Sequence, residues 1–192
     1  MWTSGLAEFP GAPVSELETG RGCGRCSLPC ACGTAPVLLL ALGNPLMADD
    51  GAGQEILARI ASEGPAWGEH VEFVDGGTQG LALLGSFEKR KAVVFLDAVR
   101  LGDEAGAVHL LRGEELLRMG GRATTAHEGS APDILRALEL LGERPTEVAL
   151  IGIEPENIRT EIGLSRAVQD SIGLAAGLAR MTVNRLLSQA VR

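Results

Sequence analysis

The sequence predicts an α/β fold, a three-layer sandwich in which a mainly parallel, five-stranded sheet lies between helices on both faces. From Val37 onward, short apolar runs of strand length alternate with segments whose apolar residues recur every three to four positions. Turn residues, chiefly Gly, Pro, Asn and Asp, separate these segments. Strands that alternate with helices in this way favour parallel pairing and a single layered core.

The first half of this region predicts three strands and two helices. VLLLAL is a continuous apolar run that fits a buried strand, and DGAGQEILARIASEG has helical spacing at Ile56, Leu57 and Ile60. VEFVD is the second predicted strand and ends at the turn residues GGTQG. LALLGSFEK then predicts a short helix, and KAVVFLDAV, rich in β-branched and aromatic residues, predicts the third strand.

The second half predicts two further strands and two helices. AVHLLRG is a weaker fourth strand, and DILRALELLG predicts an amphipathic helix with Pro132 near its first turn and Gly142 as its stop. TEVALIGIEP is the fifth strand. The C-terminal segment keeps helical spacing throughout and has Ser165 at an N-cap position, which predicts one long closing helix.

Composition and charge exclude several classes of partner. The chain has 192 residues, a formal net charge of −8 and no basic run, so neither a nucleic acid nor an anionic membrane surface would attract it. The longest apolar run, Val37 to Leu42, is far shorter than the roughly 18 residues that cross a bilayer. The N-terminus lacks the basic and apolar regions of a secretory signal, so we expect a cytoplasmic protein.

Residues 1–36 differ in character from the predicted domain, residues 37–192. They are rich in Gly, Pro, Ser and Ala and contain all the cysteines: Cys23, Cys26, Cys30 and Cys32. The spacing begins like a C-x-x-C zinc knuckle but continues as C-x-C, which departs from the usual paired arrangement. Three interpretations remain open here: a soft-metal site, a loosely ordered extension, or a start-site error with translation beginning near Val37.

Acidic residues and one histidine follow the predicted strands. Asp49 and Asp50 follow the first strand, Asp75 closes the second, Asp97 closes the third, and His127 lies in the loop before the helix at Pro132. In a doubly wound sheet these positions share the carboxyl edge of the strands, where ligands bind. Two carboxylates and an imidazole suit a borderline divalent ion such as nickel or zinc.

Each of these residues also has a purely structural interpretation. Asp49 or Asp50 is well placed to cap the following helix, Asp75 and Asp97 to organise turns, and His127 to lie in a solvated loop. Their joint occurrence is what favours a site. Competing motifs are absent from the sequence: it has no H-E-x-x-H, no G-x-S-x-G, no P-loop and no G-x-G-x-x-G after a strand.

Five motifs in order resemble the hydrogenase maturation endopeptidases, which remove the C-terminal extension from the large subunit of nickel-iron hydrogenases. They are LGNPLMADDGAG, FVDGGTQGLALL, FLDAVRLGDEAG, TAHEGS and IGIEPENIRTEIGLS. The resemblance covers the chain from Val37 to the last helix and implies a twisted five-stranded α/β sandwich. Ala41 departs from the family's G-x-G-N pattern, a small-for-small change.

The resemblance also assigns roles to residues. It implies metal contacts from Asp50, Asp97 and His127, a helix-capping role for Asp49, and substrate docking by Asp75, Gly76, Gly77 and Thr78. It further implies that nickel arrives already bound in the hydrogenase precursor and that only the nickel-loaded precursor is cleaved. Zinc or cadmium is expected to substitute for nickel in vitro. Two mechanisms stay open: the metal polarises the scissile carbonyl or activates a water with Asp50 or Asp97 as general base, or the metal only docks the substrate and a free carboxylate carries out the hydrolysis. We accordingly expect an aspartic-type or metal-dependent peptidase, and a monomer.

Two other functions fit the same residues. One is a non-catalytic, metal-sensing chaperone that binds the precursor without cutting it. The other is a small-molecule hydrolase or phosphorylase-like enzyme, because similar sheets carry many chemistries. A basic, anion-binding loop at the same edge would favour the second, and the sequence contains none.

Overall fold

The computed structural model describes residues 35–118 and 129–190, so the four cysteines and His127 lie outside the described residues. Five strands form one sheet: β1 (Val37–Leu42), β2 (Val71–Gly77), β3 (Ala92–Ala98), β4 (Val108–Arg112) and β5 (Glu147–Ile153). Four α-helices accompany them: α1 (Ala52–Ser62), α2 (Glu114–Arg118), α3 (Ala131–Leu141) and α4 (Arg166–Ala190). Three 3-10 helices span Ala48–Gly51, Gly68–His70 and Gly80–Phe87.

The strands are ordered β2-β1-β3-β5-β4 across the sheet. The four strands β2, β1, β3 and β5 run parallel, and β4 pairs with β5 in the antiparallel direction. Consecutive connections from β1 and β3 therefore diverge to opposite sides, which places a crevice at the carboxyl ends of these two strands. The predicted α/β fold with a mainly parallel five-stranded sheet is confirmed.

Alternate residues of the strands supply two hydrophobic cores, one on each face of the sheet. Helices α1 and α4 cover one face, where Ile56, Ile60 and Val183 are buried against the strands. The 3-10 helix Gly80–Phe87 and helices α2 and α3 cover the other face, with Phe87 and Leu135 among its buried residues. The arrangement is the predicted three-layer sandwich.

The structure adds detail at three elements that the sequence-based prediction left unspecified. LALLGSFEK, predicted as a short helix, forms a 3-10 helix, in a segment where Gly85 weakens α-helical propensity. Helix α2 was not predicted. Strand β4 is antiparallel because the link from Val99 to Ala107 contains no helix and is too short to return the chain to the start of a parallel strand.

Helix α4 covers part of the first face, and polar contacts hold its N-terminus and its middle. Ser165 immediately precedes the helix, and its Oγ accepts a hydrogen bond from the Val168 N–H at 3.4 Å, as the predicted N-cap requires. Glu63, at the end of α1, accepts hydrogen bonds from Arg59 and from Arg180 of α4. These two guanidiniums lower the pKa of Glu63.

None of the described helices combines the length and apolar character needed to span a bilayer.

Gly53 brings the start of α1 directly against the sheet. A Cβ at this position would lie 2.4 Å from the Leu42 carbonyl oxygen and 2.5 Å from the Leu96 carbonyl oxygen. Both atoms belong to the backbone at the carboxyl ends of β1 and β3, so they cannot move aside as a flexible side chain would. The absence of a side chain therefore determines how closely α1 approaches the crevice.

Gly53→Ala is expected to destabilise the fold by about 2 kcal/mol or more, because the added methyl group overlaps the two carbonyl oxygens. Urea unfolding followed by circular dichroism measures the change. Gly177→Ala in α4 is the matched control: nothing lies within 4 Å of its Cβ position, so the substitution should stabilise by up to about 1 kcal/mol. Equal effects at the two positions would contradict the close approach.

Candidate functional site

The turn after β1 buries the Asp50 side chain at the carboxyl edge of the sheet. Gly43 has φ +121°, and a Cβ there would lie 1.9 Å from the Asp50 carbonyl oxygen, so the turn requires glycine. The next residue, Asn44, donates its backbone N–H to Asp50 Oδ2 at 2.8 Å. Only 1% of Asp50 is exposed. The glycine and the backbone hydrogen bond together hold this carboxylate inside the turn.

Asp97 lies in the neighbouring strand and is completely buried. It is the penultimate residue of β3, and its Oδ1 accepts a hydrogen bond from the Ala98 N–H at 2.8 Å. Side chains alternate along a strand, so Asp97 belongs to the face that carries Val93 and Phe95. Since the 3-10 turn Ala48–Gly51 contacts β3, the structure brings Asp50 and Asp97 to the same edge of the sheet.

Asp49 has a different environment from its neighbour Asp50. Its Oδ2 accepts hydrogen bonds from the backbone N–H groups of Glu156 at 2.9 Å and Asn157 at 3.1 Å, and its Oδ1 accepts one from the Ser165 N–H at 2.6 Å. No side chain caps α1 or the 3-10 turn before it. The prediction that Asp49 caps its own helix is therefore wrong: this buried carboxylate holds the loop between β5 and α4.

Asp75 lies on the opposite face of the sheet from Asp97. Its Oδ1 accepts hydrogen bonds from Gln54 Nε2 of α1 at 3.3 Å and from the Gly77 N–H at 3.1 Å, and the side chain is exposed. Gln54 Nε2 also donates to the Gly43 carbonyl oxygen at 2.9 Å. Through Gln54, Asp75 thus links the end of β2 to the turn after β1. This role agrees with the structural interpretation, in which Asp75 organises a turn.

A cleft of about 570 Å³ begins at Thr78, the last residue of the predicted docking segment. The start of the 3-10 helix Gly80–Phe87 forms one wall, and Asp133, Arg136 and Leu140 of α3 line the other. Gly129 closes one end, because a Cβ there would lie 2.3 Å from the Gly80 Cα. The cleft therefore lies between the 3-10 helix that follows β2 and helix α3.

A further buried carboxylate, Glu154, was not identified as a site residue from the sequence. It lies just after β5 and accepts hydrogen bonds from the Leu101 N–H at 2.7 Å and the Gly102 N–H at 3.4 Å. It anchors the loop after β3 as Asp49 anchors the loop after β5. Its position at the end of the predicted strand TEVALIGIEP was the available signal.

Within residues 35–118 and 129–190, no group of three or more His, Cys, Asp or Glu side chains is placed to hold a metal ion. The third predicted ligand, His127, lies outside these ranges. The described part of the predicted metal set is consequently the pair Asp50 and Asp97.

Asp49→Ala is expected to destabilise the protein by about 3 kcal/mol, because it leaves three backbone N–H groups without their acceptor in a buried turn. Asp75→Ala, at an exposed carboxylate on the same edge, should cost less than about 1 kcal/mol. Urea unfolding of the two variants measures both. Similar losses would contradict the assignment of Asp49 as the structural member of the acidic pair.

Comparisons with known proteins agree with this fold. The family model HycI, described as hydrogenase maturation protease, matches residues 56–180. The hydrogenase 2 maturation protease of Escherichia coli K12 is 32% identical over 137 residues, which cover 71% of this chain and 83% of that protein. HupD of Rhodobacter capsulatus, a hydrogenase expression/formation protein, is 35% identical over 141 residues, 72% of this chain and 67% of its own length.

Two solved structures share the architecture. The hydrogenase maturating endopeptidase HybD from Escherichia coli has a TM-score of 0.69 at 29% identity, and covers 78% of this chain and 92% of its own. The [NiFe] hydrogenase maturation protease HybD from Thermococcus kodakarensis has a TM-score of 0.64 at 31% identity, and covers 76% and 97%. By its sequence and by its fold, the chain belongs to the hydrogenase maturation protease family and is a peptidase.

Proposed function

We propose that this peptidase removes the C-terminal extension from the large-subunit precursor of a nickel-iron hydrogenase after nickel has been inserted. The nickel is carried by the substrate and is recognised through Asp50, Asp97 and His127. The observation that carries the proposal is the burial of two carboxylates, Asp50 and Asp97, at one edge of the sheet in a member of this family.

Burial explains why these carboxylates suit a cation. An ionised carboxylate loses hydration when it is buried, and the cost is large unless polar or charged groups compensate it. A divalent ion that approaches the crevice interacts favourably with both side chains, and the low local dielectric strengthens that interaction. The site therefore favours a precursor that presents a metal ion over one that does not.

The motif TAHEGS, which resembles the family's later loop, supports the participation of His127. We propose that its imidazole completes the ligand set, a donor that nickel accepts readily and that zinc or cadmium would share in vitro.

The same residues account for the chemistry. In the proposed reaction, Asp50 or Asp97 accepts a proton from the water that attacks the scissile carbonyl, as a general base. The metal held by the precursor fixes the scissile segment beside these carboxylates, and Asp75, Gly76, Gly77 and Thr78 dock the extension at the end of β2, where Thr78 lines the cleft. We also propose that the protein acts as a monomer in the cytoplasm, which size-exclusion chromatography and cell fractionation would test.

Asp50→Asn, Asp97→Asn and His127→Ala should each lower processing of the nickel-loaded precursor at least about 100-fold, because each removes a metal-binding group or a general base. Intact-mass spectrometry of the precursor detects loss of the C-terminal peptide. Asp103→Asn is the matched control: Asp103 is an exposed carboxylate in the loop after β3, and its loss should leave the rate unchanged.

The same assay separates the alternatives. Wild-type protein should cleave the nickel-loaded precursor and leave the nickel-free precursor intact. Binding of the loaded precursor without any mass loss would instead identify a non-catalytic, metal-sensing chaperone. Normal processing by all three substituted proteins would contradict the assigned site.

A further inference from the structure

We infer that Asp49 is a positioning residue: it fixes the Asp50 carboxylate by tying the turn after β1 to the loop between β5 and α4. The inference rests on the proposed function of Asp50. It assigns to the first aspartate of the pair a role in metal recognition that involves no contact with the metal.

The hydrogen bonds of Asp49 leave its carboxylate little capacity for a ligand. The side chain is completely buried, and both oxygens accept backbone N–H groups at 2.6 to 3.1 Å. The donors come from the two ends of one loop: Glu156 and Asn157 at its start, and Ser165 at its end, immediately before α4. One carboxylate therefore closes the whole loop onto the turn.

A second set of contacts joins the same two segments. The Ala48 N–H donates to the Glu161 carbonyl oxygen at 2.8 Å, and the Glu161 N–H donates to the Leu46 carbonyl oxygen at 3.1 Å. Met47 and Glu161 form an isolated parallel bridge. The loop is thus bonded to the turn at its start, its middle and its end.

The backbone of the turn shows that these contacts impose its shape. Ala48 has φ +49°, in the left-handed region that a residue with a Cβ rarely adopts. Such a conformation persists where the surrounding structure holds it in place. The groups that hold it are the Glu161 carbonyl, which accepts the Ala48 N–H, and the carboxylate of the next residue, Asp49.

Asp50 directly follows this constrained pair. Its N–H donates to the Met47 carbonyl oxygen at 3.2 Å, so its backbone belongs to the same turn. Release of the loop from the turn would therefore displace the Asp50 carboxylate. Since metal sites require their ligands to be held within about 0.5 Å of the productive geometry, this displacement would weaken metal binding.

Calorimetric titration of the full-length protein with Ni²⁺ alone tests the inference, with substitutions made singly and together. Asp49→Asn should weaken Ni²⁺ binding at least tenfold in the wild-type background. In the Asp50→Ala background the same substitution should change the affinity less than twofold, because there is no longer a carboxylate to position. A residue that only stabilises the fold would leave the affinity of the folded protein unchanged.

An independent pair of variants addresses the same linkage without altering the buried carboxylate. Glu161→Pro removes the N–H that bonds the Leu46 carbonyl oxygen, and Glu161→Ala keeps it, so only the proline variant should weaken Ni²⁺ binding. If Asp49→Asn does not fold, the two Glu161 variants test the positioning role on their own. Unchanged affinity in folded Asp49→Asn, or equal affinities of the two Glu161 variants, would overturn the inference.

The controls distinguish this inference from the proposed function. If Asp50→Ala itself leaves Ni²⁺ binding and precursor cleavage unchanged, the proposed site is wrong. If Asp50→Ala strongly weakens both while Asp49→Asn has no effect on either, the site stands and only the positioning role is overturned. Asn184→Ala removes the acceptor of the Trp67 Nε1–H bond at 2.7 Å, which joins the link between α1 and β2 to α4, and controls for a general loss of stability.

Discussion

The close approach of a helix start to the ends of two strands is the constraint on which the rest of the site depends. The Gly53 Cα lies so near the carbonyl oxygens of Leu42 and Leu96 that no side chain fits there. Because α1 begins at this distance, the residues that link β1 to α1 must turn within the space between the strand ends. Asp49 and Asp50 occupy that turn, so both are buried in spite of their charge.

Two adjacent buried carboxylates require compensation from polar or charged groups. Asp49 is compensated by three backbone N–H groups from one loop, and backbone groups held in this way cannot leave to admit a ligand. Asp50 accepts a backbone N–H from Asn44 within its own turn and faces the edge shared with Asp97. In this acidic pair, Asp49 thus holds the turn in place, and Asp50 is the carboxylate that the turn positions at the edge of the sheet.

Local patterns predicted the elements that their own residues determine. The apolar run of β1, the start of α4 after Ser165 and the end of α3 at Gly142 follow from burial, capping and a left-handed C-cap, each visible in a few neighbouring residues. The same reasoning placed Asp50 and Asp97 at one edge, since parallel strands share their carboxyl ends. Their roles, and that of His127, are not determined by fold alone.

The elements that prediction missed depend on partners far away in the sequence. The donors to Asp49 lie more than one hundred positions along the chain, so nothing near Asp49 indicated that it holds the β5–α4 loop instead of capping α1. The direction of β4 likewise depends on its pairing with β5 and on the absence of a helix in the preceding link. Asp75 and Asp97 share an edge but not a face, because register determines which way each side chain points.

Burial of the carboxylates also bears on whether a metal can act as the signal for cleavage. A hundredfold preference for nickel-loaded over nickel-free precursor corresponds to about 2.8 kcal/mol. Two unit charges about 4 Å apart interact by about 1 kcal/mol in bulk water and by about 4 kcal/mol at an effective dielectric constant of about 20, so partial exclusion of water strengthens the interaction about fourfold. Burial of Asp50 and Asp97 would therefore increase the selectivity of the proposed site for a precursor that carries a divalent ion. Because these two carboxylates are held in a turn and a central strand, the proposed interaction would also require little reorganisation.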